Sequence, residues 1–131
     1  MRLNLKAGER LFINGAVLRF ERRVTIELLN DATFLLEAHV MQFEDATTPL
    51  KQLYFIIQSM LIDPASMPAA RPSVLDLIAP MQEAYRDATI VEGLGKVGAL
   101  VADRRAFEAL RVLRGLFRPE GGTAERMREV A

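Results

Sequence analysis

The sequence predicts an α+β fold: an N-terminal antiparallel β meander or small open barrel of about five short strands, then a layer of about four helices. Three observations predict it. Apolar residues alternate up to about residue 43 and recur at helical spacing from about residue 47. Tight-turn pairs, Asn14-Gly15 above all, separate the alternating runs. Between the halves stands Glu44-Asp45-Ala46-Thr47-Thr48-Pro49, a helix start. Thr48 suits the N-cap, Pro49 the first helical position, and Glu44 and Asp45 the positive end of the dipole. The expected organisation is one domain: a β-rich part over 1–43, a helical part over 47–118 and a flexible tail over 119–131.

The strands follow in order. Residues 2–6 alternate, and Ala7-Gly8-Glu9 turns. Residues 10–13 and 16–20 flank Asn14-Gly15, whose types both accept the positive φ of a type I′ turn. A two-residue loop pairs Ile13 with Ala16, Phe12 with Val17, Leu11 with Leu18 and Arg10 with Arg19. Residues 24–29 alternate, Asn30-Asp31 turns, and 33–36 form a last short strand.

The first helix covers 49–62, with a broad apolar arc of Leu50, Leu53, Tyr54, Ile57, Met60 and Leu61. Phe55 and Ile62 lie towards its other side, among Lys51, Gln52, Gln58 and Ser59, where a partner could meet them. Pro64, Pro68 and Pro72 read as an irregular connector. A second helix is expected over 73–86, kinked at Pro80, and a third over 89–102. The fourth starts from Asp103 as N-cap and ends near Phe117, ahead of Pro119 and Gly121-Gly122.

Composition excludes several functions. The chain of 131 residues has no cysteine, which removes disulfides, zinc–thiolate sites and thiol catalysis and suits a reducing cytoplasm. No apolar run is long enough to span a bilayer, and Met1-Arg2-Leu3-Asn4-Leu5-Lys6 does not read as a signal peptide. Seventeen basic and seventeen acidic side chains cancel, so binding to an anionic partner needs a local patch. Basic residues do cluster towards the ends. Residues 104–131 hold seven arginines against four acids, and the first 43 include Lys6, Arg10, Arg19, Arg22 and Arg23.

Catalytic and cofactor motifs are wanting. Gly93-Leu94-Gly95-Lys96-Val97-Gly98 matches G-x-G-x-x-G, but no parallel strand precedes it and none follows the next helix. Small residues that let two helices approach account for it better. His39, the one histidine, has no orienting partner or nucleophile elbow and reads as an ordinary polar residue. No enzyme, metal or cofactor is expected. The hairpin is more informative. Arg10 and Arg19 opposite one another repel unless an anion lies near. That anion is Glu9, Glu21 or Glu27, or else a phosphate backbone, with Lys6, Arg22 and Arg23 at the rim and Phe12 or Phe20 as a stacking surface. On the last helix Arg104, Arg111, Arg114 and Arg118 share a narrow arc opposite Leu110, Leu113, Leu116 and Phe117. This is a solvated face or a second contact strip.

Leu3-x-Leu5-Lys6-x-Gly8-Glu9, Ile13-Asn14-Gly15-Ala16-Val17, Met41-Gln42, Ala46-Thr47-Thr48-Pro49, Tyr54-Phe55 and Asp63-Pro64 together resemble the flagellar biosynthesis repressor FlbT family. The resemblance spans about residues 2–118 and departs at Leu36, where the family pattern has a basic residue. It implies a small cytoplasmic regulator that binds the 5′ untranslated region of flagellin mRNA, reduces translation and promotes decay. It also implies interplay with a second flagellar regulator, FlaF, and activation in some members. The early strands are similar, more weakly, to the carbon storage regulator family, which implies RNA held on basic strands, often across a dimer.

Two readings result. The chain is an RNA-binding repressor using Lys6, Arg10, Arg19, Arg22 and Arg23. Alternatively it is a protein-docking regulator that meets FlaF, flagellin or a second copy through Phe55, Ile62, Arg111 and Arg114. No membrane partner is expected.

Overall fold

The computed structural model describes residues 1–14, 16–30, 32 and 34–120, and the backbone alone over 121–130. Strands β1 (Arg2–Leu5), β2 (Arg10–Ile13), β3 (Ala16–Arg19), β4 (Val24–Glu27) and β5 (Phe34–Leu36) precede four helices. These are α1 (Pro49–Ile62), α2 (Met67–Ala84), α3 (Ala88–Ala102) and α4 (Ala106–Val130). The α+β architecture is the expected one, and the strands stay open. They form two antiparallel sheets, β1-β4 and β3-β2-β5, so only the β2–β3 hairpin pairs chain neighbours.

Side-chain alternation makes the three-stranded sheet a middle layer. Leu11 and Phe34 share a cluster with Leu3 and Leu5 of β1, while Leu35 joins the helical core and Phe12 packs on it. Neighbouring residues thus serve opposite faces, as the period of two requires. The hairpin register is the expected one, with Arg10 opposite Arg19 and Phe12 opposite Val17. Asn14 has φ 49°, as a type I′ turn demands; Gly15, Asp31 and Thr33 of the expected turns and last strand lie outside the described residues.

The start of α1 accounts for each of its free N–H groups. Pro49 has none, the Thr48 hydroxyl accepts from Lys51 at 3.2 Å, and the Thr48 carbonyl accepts from Gln52 at 2.8 Å. Leu50 donates to the Glu120 carboxylate at 3.0 Å. The buried Gln58 amide holds the preceding connector, accepting from Met41 N–H at 2.8 Å and donating to its carbonyl at 2.6 Å.

Three helix expectations are corrected. The proline-rich stretch is not an irregular connector, because α2 begins at Met67 and runs through Pro68, Pro72 and Pro80 to Ala84. These prolines fall at i, i+4 and i+12 on the exposed face, while Val74 and Ile78 are buried. The carbonyls that lose a donor, those of Pro68 and Asp76, therefore meet water. Asp103 does not cap α4. It ends α3, its N–H bonding the Ala99 carbonyl at 3.0 Å, and α4 starts at Ala106. Finally, α4 continues beyond Phe117 through Pro119. The tail expected over 119–131 lies outside the described side chains except at Pro119 and Glu120, and Glu120 is buried.

Candidate functional site

Lys6 follows β1, Arg10 opens β2, Arg19 closes β3, and Arg22 and Arg23 lead into β4. Because Leu5 pairs with Val24 and Arg10 with Arg19, all five gather at one end of the two sheets. The Gly8 N–H bonds the Phe20 carbonyl at 2.8 Å and closes that end. Gly8 has φ 79°, and a Cβ there would come within 3.9 Å of the Arg19 guanidinium, so Arg19 passes beside the turn. The five side chains are exposed.

None of the five makes an ion pair with a described residue. The neighbouring carboxylates are held by backbone instead. Glu9 accepts the Lys6 N–H at 2.8 Å and Glu37 accepts the Arg10 N–H at 2.9 Å. The end therefore presents five cationic side chains free of ion pairs with described carboxylates, beside Glu9 and Glu37, and such cations can meet phosphate. Of the expected stacking residues, Phe12 is half-buried and packs on the helical core, and Phe20 is half-buried and packs on the β cluster. Leu36 pairs with Leu11 and packs in the β cluster.

The arginines expected to line one strip separate. Arg104 precedes α4; Arg111 is exposed, its guanidinium 5.5 Å from the Phe107 ring centre. Arg114 is half-buried and donates to the Tyr54 hydroxyl at 3.1 Å, while Arg118 is exposed. Phe55 and Ile62 are half-buried. Ile62 packs on the helical core, and Phe55 meets the exposed Phe43 edge-on at 5.9 Å. The aromatic most open to a partner on α1's flank is thus Phe43, which its place in a short turn had hidden.

His39 ends the turn after β5. Its carbonyl accepts from Tyr54, and its ring titrates below 6.5, first because of burial and then because of the Arg114 charge. Sequence reasoning also missed Glu120 and Tyr85, whose hydroxyl donates to the Glu120 carboxylate; burial, then that hydrogen bond, raises the Tyr85 pKa. No short-range signal announces a contact made across 70 positions. The glycine motif lies inside α3 with no strand before it. A Cβ on Gly93 would come within 2.6 Å of Leu116, so close helix approach explains that glycine. Among the described residues no cluster of acids and histidine could hold a metal ion, and no helix is long and apolar enough to cross a membrane.

Comparison with known proteins agrees with the resemblance. Residues 1–123 match the family model described as flagellar protein FlbT. Proteins named "Probable flagellum biosynthesis repressor protein FlbT" from Brucella anthropi, Brucella ovis and Brucella abortus are each 53% identical over 117 residues, covering 89% of this chain and 77% of theirs. No solved structure matches. The chain belongs to the FlbT family of flagellar proteins and has a flagellar regulatory role.

Proposed function

We propose that the protein represses flagellin synthesis after transcription, in the cytoplasm, by occupying the 5′ untranslated region of flagellin mRNA and so reducing translation and promoting decay. The observation that carries this reading is the basic end of the two sheets. Lys6, Arg10, Arg19, Arg22 and Arg23 are exposed together, and their charged groups form no ion pair with a described carboxylate. Such a cluster supplies the sequence-independent part of RNA affinity through phosphate contacts. The relatives' name, flagellum biosynthesis repressor, supports the sign of regulation.

The test is a titration of the flagellin leader at several salt concentrations, with wild type and the double variant Arg10→Glu/Arg19→Glu. Losing two phosphate contacts on a single strand lowers the slope of log K against log salt by about 1.4. An unchanged affinity and slope would remove the hairpin from the site.

A second reading has its own observation. Phe43, 74% exposed and resting on Phe55, offers an aromatic anchor at the flank of α1. Docking of FlaF, flagellin or a second copy there predicts partners that survive ribonuclease, with no leader RNA recovered.

A further inference from the structure

A cavity of about 600 Å³ opens between the β4–β5 connection and the start of α4. It borders the Leu28 end of β4, whereas the basic cluster sits at the Val24 end, so the two surfaces are separate. Its floor is apolar. Phe34 and Leu61 are buried, and the half-buried Phe107 stacks at 4.9 Å on Phe34. Leu29, 89% exposed, stands on its rim.

Three arginines also line the cavity: Arg104, Arg105 and Arg111. Arg105 is satisfied by Glu108, with N···O distances of 2.6 Å to both carboxylate oxygens. Arg104 and Arg111 pair with no described carboxylate. The lining thus combines an apolar floor with two positive charges that have no such partner.

Arg104 shows that this charge is held at a cost. The Arg105 N–H bonds the Leu100 carbonyl at 2.8 Å and the Arg104 N–H bonds the Val101 carbonyl at 3.1 Å, the two bonds of a Schellman end to α3. That motif puts Arg104 at the left-handed position, with φ 62°. Glycine is the favoured residue there, since any Cβ crowds the backbone. Strained non-glycine residues concentrate where function retains them.

We propose that this cleft docks an acidic amphipathic helix of a partner protein. Its apolar side chains lie on Phe34, Leu61 and Phe107, and its carboxylates meet Arg104 and Arg111. A small molecule filling the cavity would leave Leu29 in water, whereas a helix laid across the opening covers it. An apolar floor and rim interleaved with arginine suit a protein surface better than a nucleic acid. The inference does not rest on the RNA reading, because no residue of the basic hairpin takes part.

The test uses the full chain and three fluorescent 14-residue helical peptides sharing one leucine stripe, with glutamate, glutamine or lysine elsewhere. The glutamate peptide is expected to bind about tenfold more tightly than the glutamine peptide, and the lysine peptide more weakly still. Arg104→Gly is expected to weaken the glutamate peptide about tenfold while raising the melting temperature, since glycine relieves the backbone. A merely structural arginine could not move the two readouts in those directions. Leu29→Asp, at an exposed position that spares the fold, is expected to weaken binding as well. Equal affinity for the three peptides, or an Arg104→Gly variant that binds as wild type, overturns the proposal. So does displacement of no peptide but protection of Arg104 and Arg111 by single-stranded RNA, which would make the cleft a nucleic-acid surface.

Discussion

The Glu120 carboxylate accepts the backbone N–H of Leu50 at 3.0 Å, joining α4 to the first turn of α1. Leu50 N–H is the one donor of that turn that Thr48 does not reach. The same carboxylate oxygen accepts from the Tyr85 hydroxyl at the end of α2. One buried acid thereby holds three helices. A carboxylate at a helix N-terminus also complements the dipole.

Glu120→Ala leaves the Leu50 N–H and the Tyr85 hydroxyl without their acceptor. An unsatisfied buried donor costs about 1–3 kcal/mol and the half-buried Tyr85 hydroxyl adds less, so a loss of about 1–4 kcal/mol is expected in urea unfolding. Glu120→Gln keeps an acceptor oxygen and is expected to lose less. The other oxygen, Oε1, is buried with no hydrogen-bond partner among the described residues, so the glutamine nitrogen finds no described acceptor there. Equal losses for the two variants would show that the hydrogen bonds do not set the stability of this junction.

Glycines of α3 and α4 make a matched pair. A Cβ on Gly93 would lie 2.6 and 2.8 Å from the two Cδ atoms of Leu116 and 3.1 Å from its Cγ, whereas one on Gly115 meets no atom of the described residues within 4 Å. Leu116 is itself buried and has little room to retreat. Gly93→Ala is therefore expected to destabilise by about 1–3 kcal/mol through overpacking. Gly115→Ala is expected to stabilise by up to about 1 kcal/mol through helix propensity. Thermal melts of the two variants check both signs, and a stabilising Gly93→Ala would refute the close approach.

How far the fold was legible depended on where each determinant lies in the chain. The hairpin register and the span of α1 are local, set by Asn14-Gly15 and by Thr48-Pro49, and both were readable. The prolines of α2 misled because their effect depends on facing, and Pro68, Pro72 and Pro80 all face water. Asp103 misled because aspartate favours N-caps, yet here it closes α3. The deciding feature is the left-handed backbone of Arg104, which a glycine there would have advertised and an arginine conceals. At the candidate site, sequence spacing set Arg10 opposite Arg19 but not the β1–β4 pairing that brings Lys6, Arg22 and Arg23 beside them. It could not foresee that Arg114 would turn to Tyr54 or that Phe12 would pack on the helical core, because both depend on contacts with helices remote in sequence.

His39 offers a direct probe of that Arg114 contact, being the chain's one histidine. Burial is the larger cause of its lowered pKa and the Arg114 charge the smaller, against an ordinary value of 6.5. The folded chain thus binds this proton less readily than the unfolded one. The stability linked to His39 is complete above 6.5 and declines as pH falls through the folded midpoint. Arg114→Gln removes the charge while keeping a donor for the Tyr54 hydroxyl, which itself donates to the His39 carbonyl. Its expected effect is to move the His39 midpoint upward yet leave it below 6.5, since burial persists. The single imidazole resonance, followed by proton NMR through the acid range, reads this midpoint without assignment. A midpoint that does not move with Arg114→Gln would mean the guanidinium charge is screened from the ring, and one above 6.5 in the wild type would reverse the sign of the acid-stability effect.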